Sequence, residues 1–199
     1  MRWAMWILLA LMVPGVAQAQ TSPAQRAQQL AKLEEDLNSP DPNLRLATLE
    51  WAMESKSIAI RTKAMAVALS SSDAQMNAVG LRYKVCSASE ILIRNGYDPN
   101  GRHNSLFNGF RAGQIIFRVK SCNPTAGSAS LSYTDIHNSQ TGVATMQVRD
   151  RSLYINFLTG KANCAIGLTL QAGQQMVGRL SCPYGSGSFG PVEARFDLN

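Results

Sequence analysis

Three stretches of this chain begin alike and stand sixteen residues apart: Ser39-Pro-Asp-Pro-Asn-Leu-Arg, Ser55-Lys-Ser-Ile-Ala-Ile-Arg and Ser71-Ser-Asp-Ala-Gln-Met-Asn. The register continues beyond them. Leu44, Ile60 and Met76 share a column, as do Leu49, Met65 and Leu81, and Met53, Leu69 and Val85. Within each unit these large residues fall at i, i+5 and i+9 with small residues between, such as Ala64 and Ala68, which outlines one helical face. Asp41, Ser57 and Asp73 stand where an N-cap oxygen satisfies free backbone N–H groups, and Pro42 suits the position just inside that turn. Helices of roughly a dozen residues are marginal alone in water. They must therefore bury their stripes against one another as antiparallel hairpins. Residues Gln25 to Leu37 add a fourth helix.

Over Ser22 to Cys86 this pattern resembles a short HEAT-like array, in which two half-repeats make one helical hairpin. Asp41 followed by Arg45 matches the acidic and basic pair common in such arrays, whereas Ser57 and Asn77 depart from it. The resemblance implies a helical stack that supports the remainder of the chain or offers a protein-binding surface. It implies no chemistry.

Ahead of the repeat, Arg2 precedes the apolar run Trp3 to Val13, the helix breakers Pro14 and Gly15, and Ala17-Gln-Ala19. That order is the pattern of a cleaved signal peptide over residues 1–19. The run is too short to span a bilayer, so no membrane span is expected after cleavage. The expected location is periplasmic or secreted. In such an oxidising compartment an even number of cysteines points to disulfides, and the chain has four. Cys164 to Leu170 and Met176 to Cys182 read as two strands of a hairpin. If Leu170 pairs with Met176, Cys164 falls opposite Cys182, within disulfide reach. By elimination Cys86 pairs with Cys122 and staples the helical array to the β region.

From about Gly113 the periodicity turns from helical to alternating. Expected strands are Gln114–Lys120, Ala129–Thr134, Ala144–Val148, Leu153–Leu158, Cys164–Leu170, Met176–Cys182 and Val192–Leu198, with Arg149–Ser152 as a turn. Short connections favour an antiparallel meander closing as a small sandwich or barrel. The expected class is α+β: a helical repeat domain over 20–95, a junction over 96–112 and a β domain over 113–199. Ala88–Arg94 is read as continuing the helical layer. Residues 101–110 carry no assignable pattern.

Catalytic chemistry is sparse. The chain has two histidines, His103 and His137. Asp135 stands two residues before His137, so on a strand the carboxylate would orient the imidazole as it orients a general base, with Ser132 and Ser139 nearby. No nucleophile is specified, and the segment reads more simply as an exposed turn. Gly185-Ser-Gly-Ser-Phe-Gly is neither a nucleophile elbow nor a phosphate cradle, because no helix or lysine follows it. The spacing of cysteines and histidines fits no metal site, and no cofactor pattern is present.

The formal charge is +6. Most of the excess lies after Ser87, where ten basic residues face six acidic ones. Arg118, Lys120, Arg149, Arg151 and Arg179 are interspersed rather than clustered, which argues against nucleic acid and leaves an anionic glycan or an acidic protein face as conceivable partners. Tyr184 and Phe189 are further candidates for binding; with Tyr97, Tyr133, Tyr154, Phe107 and Phe110 they offer stacking surfaces to a sugar, although alternate strand aromatics more often belong to the core. The function these observations favour is an exported, non-catalytic binding or structural protein, with a protein or cell-envelope component as partner. The alternatives are an exported hydrolase with its site near His137, or an inhibitor of such a hydrolase that presents Pro183–Pro191.

Overall fold

The computed structural model describes residues 22–95, 114–134, 141–159, 162–171, 175–182 and, as backbone, 188–198. Four helices come first: α1 (Pro23–Leu37), α2 (Pro42–Glu54), α3 (Ile58–Ser70) and α4 (Ala74–Ser87). Each starts at a polar cap. The Ser22 hydroxyl accepts from the Gln25 N–H and the Gln25 side chain accepts from the Ser22 N–H, a reciprocal capping box. Asp41, Ser57 and Asp73 cap α2, α3 and α4.

The sixteen-residue spacing has a physical basis in the inter-helix turns. The hydroxyls of Ser39, Ser55 and Ser71 accept from the N–H of Asp41, Ser57 and Asp73, at 3.1–3.2 Å. Six residues after each serine, a side chain reaches back to that serine's carbonyl: Arg45 at 2.8 Å, Arg61 at 2.5 Å and Asn77 at 3.0 Å. Each turn is thus clamped from both sides, which fixes where one helix ends and the next begins. Arg45 also pairs with Asp73 at 2.5 Å, tying the start of α2 to the start of α4. The repeated columns supply the bundle core, including Leu49, Ile60, Met76 and Met53. Leu44 departs from its column and is 42% exposed.

Eight strands come next: β1 (Ala88–Asn95), β2 (Gln114–Asn123), β3 (Ser128–Thr134), β4 (Thr141–Arg149), β5 (Ser152–Thr159), β6 (Ala162–Leu170), β7 (Met176–Ser181) and β8 (Ser188–Leu198). Every neighbour in sequence pairs antiparallel, and β8 returns to β1, closing a barrel. The fold is α+β, as expected. One expectation is corrected: Ala88–Arg94 does not extend the helical layer but forms β1, paired on one side with β2 and on the other with β8. The barrel therefore begins at Ala88, directly after α4, and Ile91 and Ile93 project into its core.

The alternation along each strand sends apolar side chains inward. Ile115, Phe117, Leu131, Leu153, Ile155 and Leu180 are buried to completion. Phe117, Tyr133 and Phe157 meet with ring centroids 5.3–5.5 Å apart. An eight-stranded barrel is just wide enough for side chains to fill. This one is filled, and its alternation, apolar inside and polar outside, is the reverse of a lipid-facing barrel.

Leu69, Leu81 and Val85 join the barrel core, so α3 and α4 plug one end of it. That end carries tight connections. At one of them Gly127 takes φ 62°, a left-handed conformation, while its carbonyl accepts from the Val148 N–H at 2.7 Å and the Arg82 side chain packs beneath it. At another, Asp150 takes φ 50° in the two-residue turn between Arg149 and Ser152. The disulfide Cys86–Cys122, Cα atoms 5.3 Å apart, joins α4 to β2 at the same end. At the opposite rim, Cys164–Cys182 links β6 to the end of β7 across 4.3 Å, and Leu170 pairs with Met176 in the hairpin between them. The strand ends flanking 96–113, 135–140, 160–161 and 183–187 all lie at this second rim.

Candidate functional site

The described inward side chains occupy the barrel interior, and among the described residues the concavities lie on its outer wall, on the helices and where the two meet. The strand register orders the outward residues into rows. Ser130 pairs with Thr145, which pairs with Asn156; Ser128 pairs with Gln147, which pairs with Tyr154. Four adjacent strands therefore present hydroxyl and carboxamide groups side by side. Because Ser128 and Ser130 are short, the wall is hollowed over β3, and β2 on one side and β4 on the other form the banks. The groove has a volume of about 530 Å³; its polar lining comes from Ser121, Asn123, Ser128, Ser130, Thr145, Gln147 and Asn156, and Cys122, Ala129 and Met146 add apolar surface. A bulge interrupts the β2 register between Val119 and Ser121, at the edge of the groove.

Basic residues stand at both ends of the hollow. Arg118 and Lys120 precede Ser121 on β2, with Arg118 paired to Glu90 at 2.9 Å. At the other end Arg149 donates to the Gln147 side-chain oxygen at 3.0 Å, which holds the guanidinium over the groove's bank. Asp150 occupies the turn beyond it.

Tyr154 forms a ridge beside the groove. It is 45% exposed and leans over Gly167, where an added Cβ would lie 3.7 Å from its ring. Arg179 is the next outward residue across Gly167. Val143 and Leu158 add exposed apolar surface nearer the rim.

Two other concavities belong to the helices. Between α1 and α2 lies a groove of about 430 Å³ with Leu33, Ala47 and Trp51 as its apolar surface and Lys32 and Asp36, paired at 2.8 Å, on its edge. Asp36 and Glu35 hold the Lys32 ammonium above its ordinary pKa. A smaller cleft of about 190 Å³ lies where α2 and α4 meet the β2–β3 turn, lined by Glu50, Glu54, Arg82, Tyr83 and Thr125. Burial, reinforced by Glu54 and Glu50, raises the Tyr83 pKa, and Arg82 donates to the Thr125 carbonyl across the junction. This cleft is a seam between helices and barrel. Among the described residues no three His, Cys, Asp or Glu side chains stand close enough to hold a metal ion.

The residues singled out in the sequence are distributed unevenly. Lys120 and Arg149 stand beyond opposite ends of the β3 groove, Arg118 is paired with Glu90 on β1, and Arg179 lies beyond the Tyr154 ridge. Arg151 serves the fold instead: it donates to the Leu170 carbonyl at 3.1 Å, and its own carbonyl accepts from the Leu170 N–H. His103, Asp135, His137, Ser139 and Tyr184 lie outside the described residues, as does the side chain of Phe189. Sequence reasoning missed the groove-lining residues Ser128, Ser130, Gln147 and Asn156. Their signal is present as polar residues at alternate positions of three strands, but it gains meaning only when the strands are set in register. Compared with protein-family models, with curated proteins and with solved structures, this chain matches none.

Proposed function

We propose that this chain is an exported, non-catalytic binding protein that engages its partner through the outer wall of the barrel. The observation that carries the proposal is the β3 groove, where hydroxyl and carboxamide groups stand beside Cys122, Ala129 and Met146 on the outside of a barrel whose described inward side chains form an apolar core. Surface polar groups at fixed spacing on regular strands are a more rigid recognition device than the same groups on loops. The two disulfides add to this rigidity and are typical of an oxidising compartment, in keeping with the signal-peptide pattern of residues 1–19. Among the described residues no helix is long and apolar enough to cross a membrane. The four helices act as a platform that closes one end of the barrel. Their recurrent serine and arginine or asparagine clamps support their reading as a short HEAT-like array.

The test is to express the full chain with Ser130→Trp, which fills the groove from its floor, and separately with Trp51→Ala, which strips the helical groove. Partners retained from the native compartment are then compared with those of the parent chain. Loss with Ser130→Trp and retention with Trp51→Ala is the expected outcome. The reverse pattern would move the recognition surface to the helices.

A further inference from the structure

We infer that the ligand of the β3 groove is an acidic oligosaccharide, one bearing uronic-acid carboxylates or sulfate groups; this rests on the barrel wall being the binding surface. Three features of the groove carry the inference together. Its polar lining is neutral, made of hydroxyls that both donate and accept and of carboxamides that do the same in a plane. Sugar rings present closely spaced hydroxyls with that same dual character, so a wall of Ser, Asn and Gln satisfies them without leaving a buried charge unpaired. The second feature is the placement of positive charge outside this neutral stretch. Lys120 lies on the bulge at one end and Arg149 at the other, while among the described residues no carboxylate lines the hollow.

The third feature is length. Lys120 stands level with Ala144 and Thr145, and Arg149 lies further along β4, so the two cations are separated by roughly 15 Å of strand rise. That span suits a short chain of several sugars with acidic groups at intervals, rather than a single small anion. Tyr154, opposite Gln147 on β5, leans over Gly167 of β6 on the side away from the hollow, so the sugar contacts are those of the groove lining itself. A peptide that adds a strand would need an unpaired strand edge, and closure of the barrel by β1 and β8 leaves none among the described strands; an acidic peptide held by the basic residues alone is the competitor that the titration below includes.

The experiment is a calorimetric titration of the full chain with three probes of similar length: a tetra-uronate, a neutral glucose tetrasaccharide and an acidic peptide of glutamates. The tetra-uronate is expected to bind at least tenfold more tightly than the other two, with an affinity that falls as salt rises. Replacing both Lys120 and Arg149 by Gln should weaken it about tenfold and flatten the salt dependence, because two charge-assisted contacts are lost. Ser130→Glu, a small change that sets a carboxylate on the groove floor, should abolish binding while circular dichroism shows an unchanged fold. Equal binding of the glutamate peptide would reduce the site to a charged surface and overturn the inference. So would tighter binding of the neutral sugar, or no binding of any probe. An error in the ligand class and an error in the binding surface give different results. If Ser130→Trp loses its native partner yet no sugar binds, the ligand class is wrong; if Ser130→Trp keeps that partner, the wall itself is wrong.

Discussion

Asn77 is the residue at which the helical repeat trades an arginine for a buried amide, and removing it should cost more than removing its repeat equivalent. It is 0% exposed, and its Nδ2 donates to the Ala68 carbonyl at 2.7 Å and the Ser71 carbonyl at 3.0 Å, both at the end of α3. Asn77→Ala leaves the Ala68 carbonyl with the longer bond from the Ser71 N–H, at 3.3 Å, and strips the Ser71 carbonyl of its side-chain donor. A buried group deprived of its partner costs roughly 1–3 kcal/mol and a part-buried one about 1 kcal/mol. Some of this is returned, because the buried Oδ1 of Asn77, itself without a partner among the described residues, disappears with the side chain. Because the Ala68 carbonyl keeps its bond from the Ser71 N–H, the expected net loss is about 1–2 kcal/mol. Arg61→Ala removes the corresponding clamp on Ser55 at a more accessible site and should cost about 0.5–1 kcal/mol. Urea unfolding followed by far-ultraviolet circular dichroism, with disulfides intact, measures both. A loss for Asn77→Ala no larger than that for Arg61→Ala would show that the buried amide does not anchor the α3–α4 turn.

Three further outcomes rest on the same packing. Replacing Cys86 and Cys122 together by Ala opens a loop with a sequence separation of 36 residues, for which chain entropy gives about 3–4 kcal/mol of lost stability, readable as a shift in the urea midpoint. Arg45 holds the Asp73 carboxyl below its ordinary pKa, so the pair's contribution is complete above the unfolded carboxylate value and is lost as pH falls through the lower folded one. Arg45→Gln should therefore flatten the acid limb of a stability-versus-pH curve, and an unchanged limb would contradict the pairing. Gly142→Ala sets a Cβ inside contact distance of the Tyr133 ring, which must leave its place between Phe117 and Phe157; overpacking of this kind costs about 1–3 kcal/mol and should alter the near-ultraviolet dichroism of the aromatic cluster.

Much of the architecture was legible because it rests on local chemistry. Asp41, Ser57 and Asp73 each cap the helix that their position in the repeat predicts. The Cys164–Cys182 hairpin came from counting outward from one turn, and the observed register begins with the Leu170–Met176 pair. The strand β1 was missed for the opposite reason. Ala88–Asn95 continues from α4 without a breaker, and its extended form depends on pairing with β8, about a hundred residues away. The β3 groove was hidden by the same non-local dependence. Ser130, Thr145 and Asn156 are ordinary in their own strands and become a surface only when the three strands are set in register. The basic residues were legible as types but not in their placement: Lys120 and Arg149 flank opposite ends of the groove and Arg118 pairs with Glu90, whereas Arg151 turns to the Leu170 carbonyl and braces the fold.

Where the partner sits is read most directly by site-specific photo-crosslinking in the compartment where the protein resides, with the photoreactive side chain placed at Asn156 on the groove's bank or at Trp51 on the helical groove. Recognition by the barrel wall predicts an adduct from position 156 that Ser130→Glu eliminates, and none from position 51. An adduct from position 51 alone would contradict it and assign the binding surface to the helices.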